Sequence, residues 1–87
     1  MSADAYKADI LFVDDEKHLR SAARQTFELA GLTVECFASA LQALEYVTRD
    51  FKGIIVSDIR MPELDGFAFL DRVLEIDYEL PVVLITG

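Results

Sequence analysis

The order of hydrophobic and polar residues divides the chain into short apolar runs and longer segments with helical periodicity. Four apolar runs have the length and composition of strands: residues 9–15, 33–37, 54–58 and 80–87. Between them, three segments repeat their apolar residues at helical spacing: residues 16–30, about 39–49 and about 65–76. The pattern therefore predicts that strand and helix alternate three times and that a fourth strand follows.

Local signals support the predicted helix ends. Gly31 is expected to end the first helix in a left-handed conformation. Ser39, followed three residues later by Gln42, predicts a capping box at the start of the second helix. The run at 33–37 alternates more than the first run does, which indicates a strand at an outer position in the sheet.

Regular alternation of strands and helices with short loops predicts right-handed crossovers. The fold class is therefore α/β, a doubly wound parallel sheet with helices on both faces. In such sheets ligands bind beyond the carboxyl ends of the strands. Asp14, Asp15, Asp58 and Thr86 all lie at predicted strand ends. If the first and third strands are neighbours, the three aspartates meet in one small pocket.

Three carboxylates in one pocket repel each other, which raises their pKa values unless a cation is present. A site made only of oxygen ligands, with room for water and a phosphate, suits Mg²⁺ or Mn²⁺ rather than zinc. A carboxylate beside such a cation can accept a phosphoryl group as an acyl phosphate. Asp58 ends the apolar run at 54–58 and is the residue where we expect this chemistry.

Composition narrows the class of protein. The chain has 87 residues, of which 53% are hydrophobic, enough for one ordered domain. Its formal net charge of -8 argues against direct nucleic-acid binding, which needs a basic face. Cys36 is the only cysteine, so an internal disulfide is excluded. Without an apolar run near the length of about 20 residues that spans a membrane, we expect a cytoplasmic protein with no membrane partner.

Three segments resemble, in order and spacing, the motifs of the receiver domain of two-component response regulators: 12–16 (FVDDE), 57–66 (SDIRMPELDG) and 80–87 (LPVVLITG). The similarity is greatest to receivers of NtrC- and DctD-type transcriptional activators that work with sigma-54. It covers residues 8–87, with residues 1–7 expected to be a flexible N-terminus. The resemblance implies a CheY-like (flavodoxin-like) sheet of strand order 2-1-3-4 and a signalling switch rather than an enzyme.

The resemblance also implies roles for individual residues. Asp58 would accept a phosphoryl group from a sensor histidine kinase. Asp15 and Asp58 would bind Mg²⁺ directly, together with the backbone carbonyl of Arg60, and Asp14 would act through a metal-bound water. Thr86 matches the hydroxyl residue that turns inward to bind the phosphoryl oxygen. The signal would pass to a downstream output domain, an ATPase and DNA-binding activator.

The sequence departs from the receiver pattern at its carboxyl end. The fifth strand, its phosphate-contacting lysine and the last two helices do not follow the fourth strand. The fourth strand would then be an open apolar edge. We expect either that the natural protein continues past Gly87 or that this edge pairs with another chain, as in a homodimer.

Two other functions fit parts of the pattern. A haloacid-dehalogenase-type phosphatase also uses Mg²⁺ and a strand-end aspartate, but it needs a second aspartate where Arg60 stands. A receiver that signals without phosphate needs none of the three carboxylates, and all three are present. His18 and Cys36 are expected to be an exposed residue and a small core residue. Asp65 is expected to start the third helix rather than join the site.

Overall fold

The computed structural model describes residues 8–86. Four parallel strands form one sheet: β1 (Ile10–Val13), β2 (Val34–Phe37), β3 (Ile54–Asp58) and β4 (Val82–Ile85). Three helices connect them: α1 (Lys17–Leu29), α2 (Ala40–Tyr46) and α3 (Gly66–Ile76). The sheet order is β2-β1-β3-β4, which confirms the predicted alternation, fold class and strand order. The expected flexible N-terminus, residues 1–7, and Gly87 lie outside the described residues.

Side chains of alternate strand residues point to opposite faces of the sheet, and each face has its own apolar cluster. The larger cluster joins the sheet to α2 and α3, and its fully buried members include Leu11, Ile55 and Phe69. The smaller cluster lies beneath α1 and contains Ile10, Phe12 and Val34. Because both faces of β1 are covered, all four of its residues are buried. None of the described helices has the length and apolar character needed to cross a membrane.

Side-chain caps and a glycine set the helix ends, as predicted. The Ser39 hydroxyl accepts a hydrogen bond from the amide of Gln42 at 3.2 Å. The Asp65 carboxylate accepts one from the amide of Ala68 at 2.9 Å, which confirms its structural role at the start of α3. Gly31 has φ 83°, the left-handed conformation expected after α1.

The prediction that α2 extends to about Arg49 is wrong, because the helix ends at Tyr46. Val47 is extended, with φ −78° and ψ 116°, and its side chain is buried. The Thr48 hydroxyl accepts a hydrogen bond from the amide of Asp50 at 3.1 Å. Such local side-chain bonds compete with helical ones. The resulting turn leads the chain to Phe51, which is fully buried, so core packing shortens the helix.

The two apolar rows of α3 have different surroundings. Phe69 and Val73 are fully buried in the larger cluster. Phe67, on the other row, is 58% exposed. The outermost strand on this side of the described sheet is β4, and its Val83 is 48% exposed. The apolar residues of α3 are therefore core along one row, while the other row is half-buried at Leu70 and Leu74 and exposed at Phe67.

Gly66, the first residue of α3, packs directly against the end of β3. A Cβ atom at this position would lie 2.6 Å from the backbone oxygen of Asp58 and 2.7 Å from the Cα of Ile59. The Gly66 amide also donates a hydrogen bond to the Ile59 oxygen at 2.8 Å. A glycine is thus required for this close approach of α3 to the strand that ends on Asp58.

We predict that Gly66→Ala destabilises the protein by about 1 to 3 kcal/mol, because the methyl group overlaps backbone atoms that have little freedom to move. The free energy of unfolding from urea titration measures this. Gly31→Asn is the matched control, since asparagine tolerates the left-handed region and nothing lies within 4 Å of the added Cβ. An equal loss in both variants would contradict the packing explanation.

Candidate functional site

Parallel pairing brings the acidic strand ends together. In the register of β1 and β3, Val13 lies opposite Ser57, so Asp14 and Asp58 follow at the same edge of the sheet. In the register of β3 and β4, Asp58 lies opposite Ile85. All three strands point the same way, so their carboxyl ends form one rim. Thr86 follows Ile85 at this rim and is exposed.

The carboxylates of Asp14, Asp15 and Asp58 each offer an oxygen atom within 4.8 Å of the others. Asp14 is 1% exposed and Asp58 is 9% exposed, whereas Asp15 is exposed to solvent. Across residues 8–86, this is the one group of at least three acidic, histidine or cysteine side chains close enough to share a metal ion. The predicted convergence is therefore present, and the site opens to solvent on the Asp15 side.

Backbone hydrogen bonds orient the two buried carboxylates. The amide of Glu16 donates to Asp14 Oδ1 at 2.8 Å, and the amide of Asp14 donates to the Phe37 oxygen on β2 at 3.1 Å. The amide of Arg60 donates to Asp58 Oδ1 at 3.3 Å. Each carboxylate is thus held by the first residues of the loop that leaves its own strand.

The electrostatics of the site favour a cation. Burial raises the pKa of Asp14 above its ordinary value of 3.8, although the hydrogen bond from the Glu16 amide opposes this. The negative charges of Asp58 and Asp15 raise the pKa of Asp14 further. The predicted repulsion therefore exists, with burial as the larger cause. A bound cation would offset both effects, because its positive charge stabilises the ionised carboxylates in place of the solvation that burial removes.

The donor set fits Mg²⁺ or Mn²⁺. All three side chains offer hard carboxylate oxygens, the ligands that these cations prefer, and the exposed side leaves room for the waters they keep. The side chain of Arg60 is exposed and follows the site by two residues, where its backbone is close to the Asp58 carboxylate. The metal-binding roles of Asp14, Asp15, Asp58 and Arg60 stay predictions.

Two residues near the site were not singled out from the sequence. Gly66 ends the motif at 57–66, but only the structure shows that it lets α3 approach Asp58. Arg20 lies in the first helix, where it is half-buried, and its Nη1 donates to the Asp14 backbone oxygen at 2.8 Å. The periodicity of α1 contains no signal for this contact, because an arginine stem packs along apolar surface as readily as it extends into water.

The histidine and the cysteine lie where the sequence predicted. His18 is exposed on α1. Cys36 is half-buried on β2 and packs against the smaller apolar cluster. Burial raises the pKa of the Cys36 thiol, an effect that outweighs the neighbouring guanidinium charges of Arg24 and Arg20. A thiol of raised pKa is a weaker nucleophile near neutral pH, in keeping with a packing role.

Comparison with known proteins gives one consistent family. A family profile described as the response regulator receiver domain matches residues 10–87. The C4-dicarboxylate transport transcriptional regulatory protein DctD of Rhizobium meliloti is 50% identical over 78 residues, which are 90% of this chain and 17% of that protein. The protein of the same name from Pseudomonas aeruginosa is 47% identical over 81 residues, 93% of this chain and 18% of that protein.

Solved structures agree with this family. The response regulator StyR superposes with a TM-score of 0.83 at 32% sequence identity, covering 92% of this chain and 41% of that chain. The chain spans less than one fifth of the length of the two DctD relatives that it matches. The similarity therefore concerns one domain of those longer proteins.

The raised pKa of Asp14 predicts a pH dependence of stability in metal-free protein. A carboxyl whose pKa is higher in the folded state than in the unfolded state binds its proton more tightly when folded. Its contribution to the free energy of unfolding is therefore largest below the unfolded value of 3.8 and falls as pH rises through the folded pKa. Asp14→Asn should remove this decrease and make metal-free protein more stable than wild type at neutral pH.

Urea unfolding with a chelator present, between about pH 4 and pH 7, measures the effect. The asparagine keeps a side-chain oxygen for the Glu16 amide, so the hydrogen bond is retained. Asp71→Asn, at an exposed position of α3, is the matched control and should leave the pH dependence unchanged. An unaltered slope in Asp14→Asn would contradict the burial argument.

Proposed function

Since the chain belongs to the response regulator receiver domain family, we propose that Asp58 is its phosphoacceptor and receives a phosphoryl group from a sensor histidine kinase. Receiver domains are signalling domains, and the chain's DctD relatives are transcriptional regulatory proteins. By this proposal the only chemistry of the domain is to accept and lose its own phosphoryl group. The change is then passed to an output domain that acts on transcription.

One observation carries the proposal, the convergence of Asp14, Asp15 and Asp58 within 4.8 Å at the rim of a parallel sheet. Asp58 ends β3, which lies between β1 and β4. Its carboxylate accepts a hydrogen bond from the Arg60 amide. A strand that is paired on both sides moves little. The proposed nucleophile is therefore fixed where a phosphodonor can approach from the open side.

In the proposed reaction an oxygen of the Asp58 carboxylate attacks the phosphorus of a phosphohistidine. A P–O bond forms, the P–N bond breaks, and the electron pair stays on the imidazole nitrogen, which takes up a proton. Mg²⁺, when bound, supplies positive charge that offsets the negative charge of the carboxylates and the phosphoryl oxygens. Asp15, Asp58 and the Arg60 carbonyl would hold it directly, and Asp14 through a water.

Thr86 is the proposed sensor of phosphorylation. It follows β4 at the same rim as Asp58, and the Ile59 amide donates to the Ile85 oxygen at 3.0 Å, which ties the two loops together. Its hydroxyl would donate a hydrogen bond to a phosphoryl oxygen and carry the backbone beyond β4 with it. With a net charge of -8, the domain would influence DNA through its output domain and not through its own surface.

We expect wild-type protein incubated with Mg²⁺ and acetyl phosphate to gain one phosphoryl group, and Asp58→Asn to gain none, because the amide is not a nucleophile under these conditions. Intact-mass spectrometry measures the gain. Asp65→Asn is the matched control, because Asp65 lies in the same loop but caps α3. Modification of Asp58→Asn to the wild-type extent would contradict the assignment of the acceptor.

Cation binding should stabilise the folded protein through mass action. At a Mg²⁺ concentration ten times the dissociation constant, the free energy of unfolding should rise by about 1.4 kcal/mol. Asp15→Asn should lose most of this gain, since an amide oxygen is a weaker ligand than a carboxylate. Thermal unfolding with and without Mg²⁺ measures it. Glu45→Gln, exposed on α2, is the control, and an equal Mg²⁺ effect in all three proteins would contradict the cation site.

A further inference from the structure

Arg20 connects α1 to the end of β1 through a contact that the proposed reaction does not use. Its Nη1 donates a hydrogen bond to the backbone oxygen of Asp14 at 2.8 Å, in a half-buried position. Its own backbone belongs to the first turn of α1, where its amide donates to the Glu16 oxygen at 3.1 Å. The guanidinium therefore reaches back across the loop between strand and helix.

This contact acts on the peptide group that joins the two acidic residues of the loop. The carbonyl of Asp14 and the amide of Asp15 lie in one rigid plane, because the peptide bond does not rotate freely. Fixing the direction of the Asp14 oxygen thus restricts the backbone on both sides of that plane. One side bears the buried Asp14 carboxylate and the other bears the exposed Asp15 carboxylate.

The amide and Oδ1 of Asp14 are held by two other parts of the structure. The Asp14 amide donates to the Phe37 oxygen on β2, and Asp14 Oδ1 accepts from the Glu16 amide. Arg20 adds a third direction, from α1. These contacts come from the neighbouring strand, the loop and the helix, so together they define both the position and the rotation of the residue.

We propose that Arg20 is a positioning residue for the cation site, which holds the Asp14–Asp15 peptide plane so that both carboxylates face Asp58. This role rests on the proposed function, since it concerns the same site. The guanidinium bonds to a backbone oxygen, so it restricts the backbone without occupying the carboxylate oxygens that a cation would use.

Arg24 provides a matched control for charge. It lies one turn further along α1 and forms a pair with Glu28 at 3.4 Å, in which both side chains are about half exposed. Arg24→Met removes the same charge from the same helix without touching Asp14. Arg20→Met removes the hydrogen bond but keeps a stem of similar length, and Arg20→Lys keeps both a donor and the charge.

The first measurement uses metal-free protein and does not depend on phosphorylation. Amide hydrogen exchange followed by NMR reports the Glu16 amide, which is bonded to the Asp14 carboxylate. Arg20→Met should speed exchange at Glu16 by about tenfold or more, as expected when a local hydrogen bond opens. Arg24→Met should leave it at the wild-type rate, and Arg20→Lys should recover part of the protection.

The second measurement is the Mg²⁺ dissociation constant from calorimetric titration. Loss of residues that orient metal ligands weakens binding by about 10- to 100-fold, and we expect the lower end for Arg20→Met because it acts through the backbone. The midpoint of thermal unfolding without metal should change little. A general structural role would instead lower that midpoint and leave Mg²⁺ affinity proportional to the folded fraction.

The outcomes separate this role from the proposed function. If wild type binds Mg²⁺ and is phosphorylated on Asp58, but Arg20→Met matches it in affinity and exchange, the positioning role is overturned alone. Equal losses in Arg20→Met and Arg24→Met would overturn it in favour of a charge effect. A wild type that neither binds Mg²⁺ nor accepts a phosphoryl group would overturn the proposed function and this role together. Should Arg20→Met fail to fold, Arg20→Lys gives a smaller effect in the same direction: because it recovers only part of the protection, its Glu16 amide should still exchange faster than in wild type, and wild-type exchange and affinity in it would overturn the role.

Discussion

The pairing of β1 with β3 is the contact on which the rest of the structure depends. These strands are consecutive in space but separated in sequence by β2 and two helices. Their register places Val13 opposite Ser57, and this alone brings Asp14 and Asp58 to one rim. A shift by one residue would turn the side chains of β3 to the opposite faces of the sheet. It would bury Ile54 in place of Ile55 and separate the carboxylates.

The core therefore stabilises an arrangement that is unfavourable at the site itself. Three carboxylates share one pocket, and burial raises the pKa of Asp14. The ionised form of Asp14 is therefore destabilised in the folded state. The apolar residues on both faces of β1 and β3 offset this cost, because each strand is packed against helices. Such a site gains stability from any ligand that supplies positive charge, which makes binding and folding free energies interdependent.

Two helices contact the backbone of the acidic strand ends. Gly66 brings α3 against the oxygen of Asp58, and Arg20 connects α1 to the oxygen of Asp14. The helices on opposite faces of the sheet thus each contact the backbone of one acidic strand end. A movement of the rim caused by phosphorylation would reach both faces through these contacts, which is what a signalling domain needs.

The sequence by itself determined the alternation of elements, the covering of both faces of the sheet by helices, the helix caps at Ser39 and Asp65, and the set of acidic strand ends. These depend on local periodicity and on residue types at fixed spacings, so they can be read along the chain. Only the tertiary structure decided that α2 ends at Tyr46, because the burial of Val47 and Phe51 overrides helix propensity there. It also decided the roles of Arg20 and Gly66. Both depend on distances across the loop between a strand and the helix that follows it, which the periodicity of a single element does not contain.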